Sequence, residues 1–233
     1  MTFPSHLGRV AAPLALVALL SSCGPVAVAT ATPSATPATP AAPAARAAAA
    51  SASSLTTIAR HQYASEVSGP AALSALHRVG RDQTLLRDLQ SGNLSATRAY
   101  VQRQFPAVWY HWHVARMRIV QGSRVVVETG VPFVVAPVQM TLRGAGGRAL
   151  GTLQVSIQDE IGFVRLIHRH HPVDVVVRGQ GAGHVRSSLP AAAQVKLPST
   201  GSVTIAGRRY QVSSFRETAW GNEPVTVSIL QKA

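Results

Sequence analysis

The period of hydrophobic positions changes twice between residues 149 and 179. Leu153, Val155 and Ile157 alternate, with Leu150 ahead of them, as a strand with one covered face requires. Ile161, Val164 and Ile167 then recur at three-residue spacing, the stripe of a short helix, and Val173, Val175 and Val177 restore the two-residue period. The stretch reads as strand, helix, strand between Gly-rich turns at 144–147 and 179–183. It is expected to form the hinge of one mixed sheet, close to whatever the protein binds.

Upstream, residues 55–105 show helical spacing in Leu73, Leu76 and Val79, in Leu85, Leu86 and Leu89, and in Leu94, Val101 and Phe105. Gly69-Pro70 and Ser91-Gly92-Asn93 interrupt it, Pro70 near a helix start and Gly92-Asn93 as a stop and recap. Pro106 is expected to end the helical part. Residues 108–120 and 124–129 then read as strands joined through Gln121-Gly122-Ser123. Residues 131–143 contain Pro132 and Pro137, which suit an edge or a loop. Further strands are expected at 185–188, at 203–205 and 210–215 as a hairpin, and around Val225, Val227 and Ile229. Helices first and strands afterwards predict an α+β fold, a helical N-terminal segment packed on a largely antiparallel sheet.

The first residues read differently. Residues 1–22 carry Arg9, an apolar run over 11–20 and small residues up to Cys23. As a helix that run is about 15 Å long against a bilayer core of about 30 Å, so it is an export signal and not a span. Leu20-Ser21-Ser22-Cys23-Gly24 is similar to a bacterial lipobox, which implies cleavage before Cys23 and a diacylglycerol on its sulfur. A blocked Cys23 has no nucleophile, disulfide or metal chemistry left. Residues 23–54, rich in Ala, Pro, Thr and Ser, then form the linker of a lipid-anchored protein in the cell envelope, outside the cytoplasm, and 55–233 form the domain.

Charge adds a bias. Loss of the leader removes one of the 22 basic residues and leaves 21 against 9 acidic ones, a net +12 that favours anionic partners. The arginines are dispersed, Arg208-Arg209 being the one adjacent Lys/Arg pair, and aromatics are few, which argues against nucleic acid. No G-x-S-x-G, no H-E-x-x-H and no evident carboxylate pair point to an enzyme. Gly144-Ala145-Gly146-Gly147-Arg148-Ala149 fits G-x-G-x-x-A, but a strand follows it where a dinucleotide fingerprint needs a helix. No cofactor is expected.

Three groups of residues carry candidate chemistry. His111 and His113 would share one face of a strand, and His168 and His170 cluster at a helix end; if the two groups met they could hold a metal, and otherwise they are solvent-facing or helix-terminal. Arg116 and Arg118 share a strand face, either solvated or aimed at a carboxylate. Asp159 stands where strand hands over to helix, either capping it or accepting from a ligand.

With that order laid out, L85-L86-R87-D88-L89-Q90-S91-G92-N93, the pair H113-V-A-R-M-R-I-V120 and R124-V-V-V-E-T129, and G147-R-A-L-G-T-L-Q-V-S-I-Q-D159 followed by G162-F-V-R-L resemble a Cache domain, the PAS-like extracytoplasmic sensor module of bacterial receptors. The resemblance implies a long N-terminal helix on a central sheet and a small organic acid or amino acid bound between sheet and covering loops. It implies Tyr110, Arg116, Arg118, Asp159 and Phe163 as ligand contacts. Such receptors carry membrane helices and a cytoplasmic output domain, absent from residues 1–233, so output is expected through a separate membrane signalling protein. Two other readings stay open: a metal-binding envelope lipoprotein using the histidines, and an adhesion domain for anionic envelope polymers.

Overall fold

The computed structural model describes residues 43–233; the expected leader, Cys23 and the first part of the expected linker lie outside them. Helices α1 (Pro43–Ser68), α2 (Pro70–Gly80), α3 (Gln83–Gln90) and α4 (Leu94–Trp112) come first. The strands are β1 (Arg116–Gln121), β2 (Arg124–Gly130), β3 (Val134–Val135), β4 (Val138–Arg143), β5 (Ala149–Ser156) and β6 (Gln158–Asp159) before helix α5 (Glu160–His170). After it come β7 (Asp174–Arg178), β8 (Val185–Ser187), β9 (Thr200–Ile205), β10 (Arg208–Thr218) and β11 (Pro224–Lys232). The fold is α+β, and every strand pairing among the described residues is antiparallel. No helix of the described residues is long and apolar enough to cross a membrane.

The expected single sheet is two. The first has the order β2-β1-β5-β4 and the second β8-β7-β11-β10-β9. The strand, helix and strand of residues 149–178 therefore do not return to one sheet: β5 is central in the first, β7 belongs to the second, and α5 is the crossover. A two-residue bridge of β3 with β6 marks the junction, where buried Ser156 donates from Oγ to the Val135 carbonyl at 2.6 Å.

Each sheet has its own core. Helices α2, α3 and α4 bury Leu76, Leu85, Leu89, Val101 and Phe105 against Met117, Ile119, Leu142 and Leu153 of the first sheet. Val120 pairs with Val125 while Ile119 pairs with Val127, so this bulge lets Val126 and Val127 both enter that core. Helices α1 and α5 cover one face of the second sheet through Tyr63, Phe163 and Ile167 packed on Val175, Val177, Val227 and Ile229. The other face holds Val176, Val212 and Leu230 beneath a strap at residues 189–199. Val175, Val176 and Val177 are all buried because β7 is covered on both sides.

Two helix boundaries differ from expectation. Helix α1 starts at Pro43, inside the stretch read as linker. Its buried stripe is Ala52, Thr56, Ala59 and Tyr63, at helical spacing but mostly too small to register as hydrophobic, and the register is held by Tyr63 donating to the Thr218 carbonyl at 2.9 Å. Helix α4 runs through Pro106 to Trp112, where residues 108–113 had read as strand. Thr97, Val101, Phe105 and Val108 form one continuous stripe, extended by partly buried Trp112. The proline removes one backbone hydrogen bond at a cost of about 3 kcal/mol, and burial of that stripe on β1 and β2 outweighs it.

Candidate functional site

Arg78 and Val79 lie in the last turn of helix α2, and the chain then reverses at Arg81 and Asp82. Asp82 caps α3, its Oδ1 accepting from the Thr84 and Leu85 amides at 2.9 and 3.1 Å. Helix α4 folds back over this turn, and the Tyr100 hydroxyl donates to the other oxygen of Asp82. Burial, then the Asp82 hydrogen bond and charge, push the Tyr100 hydroxyl up to about 12, against the pull of Arg103 and Arg78. Between α2, α4 and β1 lies a cavity of about 180 Å³. Val79, Val101, Val108 and Met117 give it an apolar floor, and Arg78, Asp82, Tyr100, Gln104, His111 and Trp112 supply polar groups around it. A cation, a carboxylate, an amide and an imidazole on one small apolar cleft are the composition of a small-molecule site.

The residues expected as ligand contacts do not line one cavity. Tyr110 is 76% exposed on the last turn of α4, not on a strand. Arg116 and Arg118 do share a face of β1, but that face meets the turn at Trp220–Asn222 from the second sheet. Their guanidinium carbons stand 5.3 and 5.4 Å from the Trp220 ring centre, on which Trp220 Nε1 donates to Glu128 Oε1 at 2.6 Å. Arg116 also pairs with Glu128 at 2.5 Å. Gly221, at φ 71°, keeps this turn close under Arg118, where a Cβ would stand 3.4 Å from Nη1. The arginines thus hold the two sheets together across a junction in which Ala115, Val134 and Trp220 are buried.

Asp159 is the N-cap of α5, its Oδ1 accepting from the Gly162 amide at 2.6 Å. It also edges a shallow hollow of about 160 Å³ with Trp109, His113, Ala115 and Ile157. The cap accounts for its position, and Asp159→Ala is expected to lower stability by about 1 kcal/mol, read from the urea midpoint. An unchanged midpoint would show the carboxylate to be free for another role. Phe163 is fully buried, its ring edge-on to Tyr63 at 5.5 Å, so it reaches no open space.

The histidines are also apart from their expected setting. His111 borders the cavity between α2 and α4, and His113 ends α4 in the left-handed conformation, φ 54°, its amide donating to the Trp109 carbonyl at 3.0 Å. His168 Nδ1 lies 2.7 Å from the Val173 carbonyl and 3.6 Å from Asp174, and His170 is exposed at the end of α5. Among the described residues no three His, Cys, Asp or Glu side chains are grouped to hold a metal.

The Gly-rich turn at 179–183 is pinned by a residue not singled out in the sequence. Glu223 accepts from the amides of Gln180 and Gly181 at 2.5 and 2.9 Å and lies 2.8 Å from His184 Nδ1, whose ring stacks on Phe133. Burial alone would raise the Glu223 carboxyl; the Gly181, His184 and Gln180 hydrogen bonds and the His184 charge outweigh it and hold the group below its ordinary value. Arg78, Asp82 and Tyr100 were likewise missed. Asp82 after Gly80-Arg81 is a legible cap signal, but its meeting with Tyr100 needs the fold.

No family model matches the sequence, and no curated protein matches it. Among solved structures the chain is similar to the periplasmic domain of Vibrio cholerae LuxQ, with a TM-score of 0.50 at 13% identity over 78% of this chain and 100% of that one. It is also similar to the sensor domain of the Vibrio cholerae histidine kinase DctB, with a TM-score of 0.47 at 11% identity over 81% and 98% of the two chains. At such identity the LuxQ likeness is one of fold.

Proposed function

We propose that this chain is a lipid-anchored, non-catalytic sensing domain on the outer side of a bacterial membrane, which binds a small anionic or amino-acid-like molecule in the cavity between α2 and α4. The observation that carries the reading is that cavity: Arg78 offers a guanidinium to a carboxylate, Asp82 and Gln104 offer acceptors, and the valines beneath exclude water. The lipobox-like Leu20-Ser21-Ser22-Cys23 supports the anchor, and the linker supports a domain held off the membrane. Output passes to a separate membrane signalling protein.

Thermal shifts of the exported Cys23→Ser chain against amino acids, carboxylates and purines test the binding. A ligand of the right class at a hundredfold excess over Kd adds about 2.7 kcal/mol of stability, and Arg78→Ala should remove the shift for an anionic one. If no class raises Tm, or if Arg78→Ala leaves the shift intact, the site is elsewhere or absent. Metabolic labelling with a palmitate analogue, lost in Cys23→Ser, tests the anchor separately.

A further inference from the structure

The outer face of the second sheet is divided along its length. One half carries the buried Val176, Val212 and Leu230. The other carries Arg178 and Thr226, a cross-strand pair, together with Ser228, which is 4% exposed with its hydroxyl 2.9 Å from that of Ser214. The strap at 189–199 crosses both halves. It is fastened over the polar half by Arg178 Nη2, which donates to the Ala193 and Val195 carbonyls at 2.9 and 3.3 Å. Ser214 adds a longer contact, its hydroxyl donating to the Pro198 carbonyl at 3.3 Å.

The fastening leaves a cavity of about 350 Å³ between strap and sheet. Arg178, Thr226 and Ser228 face it from the sheet, and Gln194 and Lys196 from the strap. Its lining holds two cations and no carboxylate. Anchoring the strap occupies Nη2 of Arg178, and the remaining N–H groups of its fork have no protein partner among the described residues. Two like charges on one small cavity raise each other's cost unless an anion lies between them. Guanidinium, ammonium, hydroxyl and amide donors around one space are the chemistry that recognises a carboxylate or an inorganic oxyanion.

We propose that this cavity is a second binding site, distinct from the one between α2 and α4, for a small multivalent anion: a dicarboxylate or an oxyanion such as phosphate. Bound there, the anion bridges Lys196 on the strap to Arg178 and Thr226 on the sheet, so that occupancy tightens the strap.

The Cys23→Ser chain, titrated calorimetrically with inorganic phosphate and separately with succinate at constant ionic strength set by chloride, tests this. Saturable binding of at least one of the two is expected, and which one binds identifies the anion class. Lys196→Met and Thr226→Val, which leave the Arg178 anchor in place, should each weaken it about tenfold or more. Arg78→Ala should leave it unchanged, so failure of the α2–α4 cavity as a site does not touch this one. Absence of saturable binding by either anion overturns the proposal. So does binding that Lys196→Met and Thr226→Val leave intact while far-UV circular dichroism shows both variants folded.

Discussion

Trp220→Ala is expected to lower the unfolding free energy by about 3–5 kcal/mol, the range for removing a large buried aromatic. The ring is 6% exposed and packs against Ala115 and Val134 at the junction of the two sheets. Its loss also strips Glu128 of the Nε1 donor and leaves Arg116 and Arg118 without the surface they flank. The Arg118 Nε is already buried without a partner, so this side chain has little other means of being held. Trp220→Phe should recover most of the packing but not the bond to Glu128, and cost about 1.5–3 kcal/mol for a hydrogen bond to a charged group. Urea unfolding of both variants decides the matter. Stability equal to wild type in Trp220→Ala would mean that the contact between β1 and the turn at Trp220–Asn222 is open in solution.

Phe163→Ala carries a comparable cost, about 3–5 kcal/mol, and separates two roles for the residue. A pocket wall is partly solvated when empty, and trimming it changes affinity more than stability. Phe163 is instead closed in by the second core, edge-on to Tyr63, which is itself fixed: its hydroxyl donates to the Thr218 carbonyl and accepts from the Ala136 amide at 2.8 Å. Burial foremost pushes the Tyr63 hydroxyl well above its ordinary value, so this group stays neutral and donating through the ordinary pH range. The variant should therefore show a lowered urea midpoint. Its affinity for a ligand of the α2–α4 cavity, measured well below Tm, should match that of the wild type. Normal stability with lost affinity would return Phe163 to a binding role.

The residues expected as contacts show where reading from the sequence stops. Asp159 at a strand-to-helix handover was legible as a cap because the bond is local, three residues long. Arg116 and Arg118 were legible as sharing a face, since alternation is a property of the strand itself. Their partner was not: Trp220 lies about a hundred residues further on and approaches from the other sheet. The α2–α4 cavity was hidden for the same reason, as Asp82 and Tyr100 belong to different helices whose crossing decides that they meet. The strand assigned to residues 108–113 erred differently. There, Pro106 argued locally against continuing the helix, and the packing of Val108 and Trp112 onto the first core overrode that preference.

By itself the sequence determined most of the elements, their order and the α+β class, because hydrophobic period reports whether one face of a helix or strand is covered. It also marked the turns, where glycine and proline restrict the backbone within a few residues. Period does not say what does the covering. Only the tertiary structure decided that β5 and β7 enter different sheets, that the stripe of Ala52, Thr56, Ala59 and Tyr63 in α1 is a packing face, and that Arg116, Arg118, Glu128 and Trp220 join the two halves. Those outcomes are short-range contacts between segments far apart in the chain, and such contacts form only once the fold has brought the two segments together, so neither segment alone carries them.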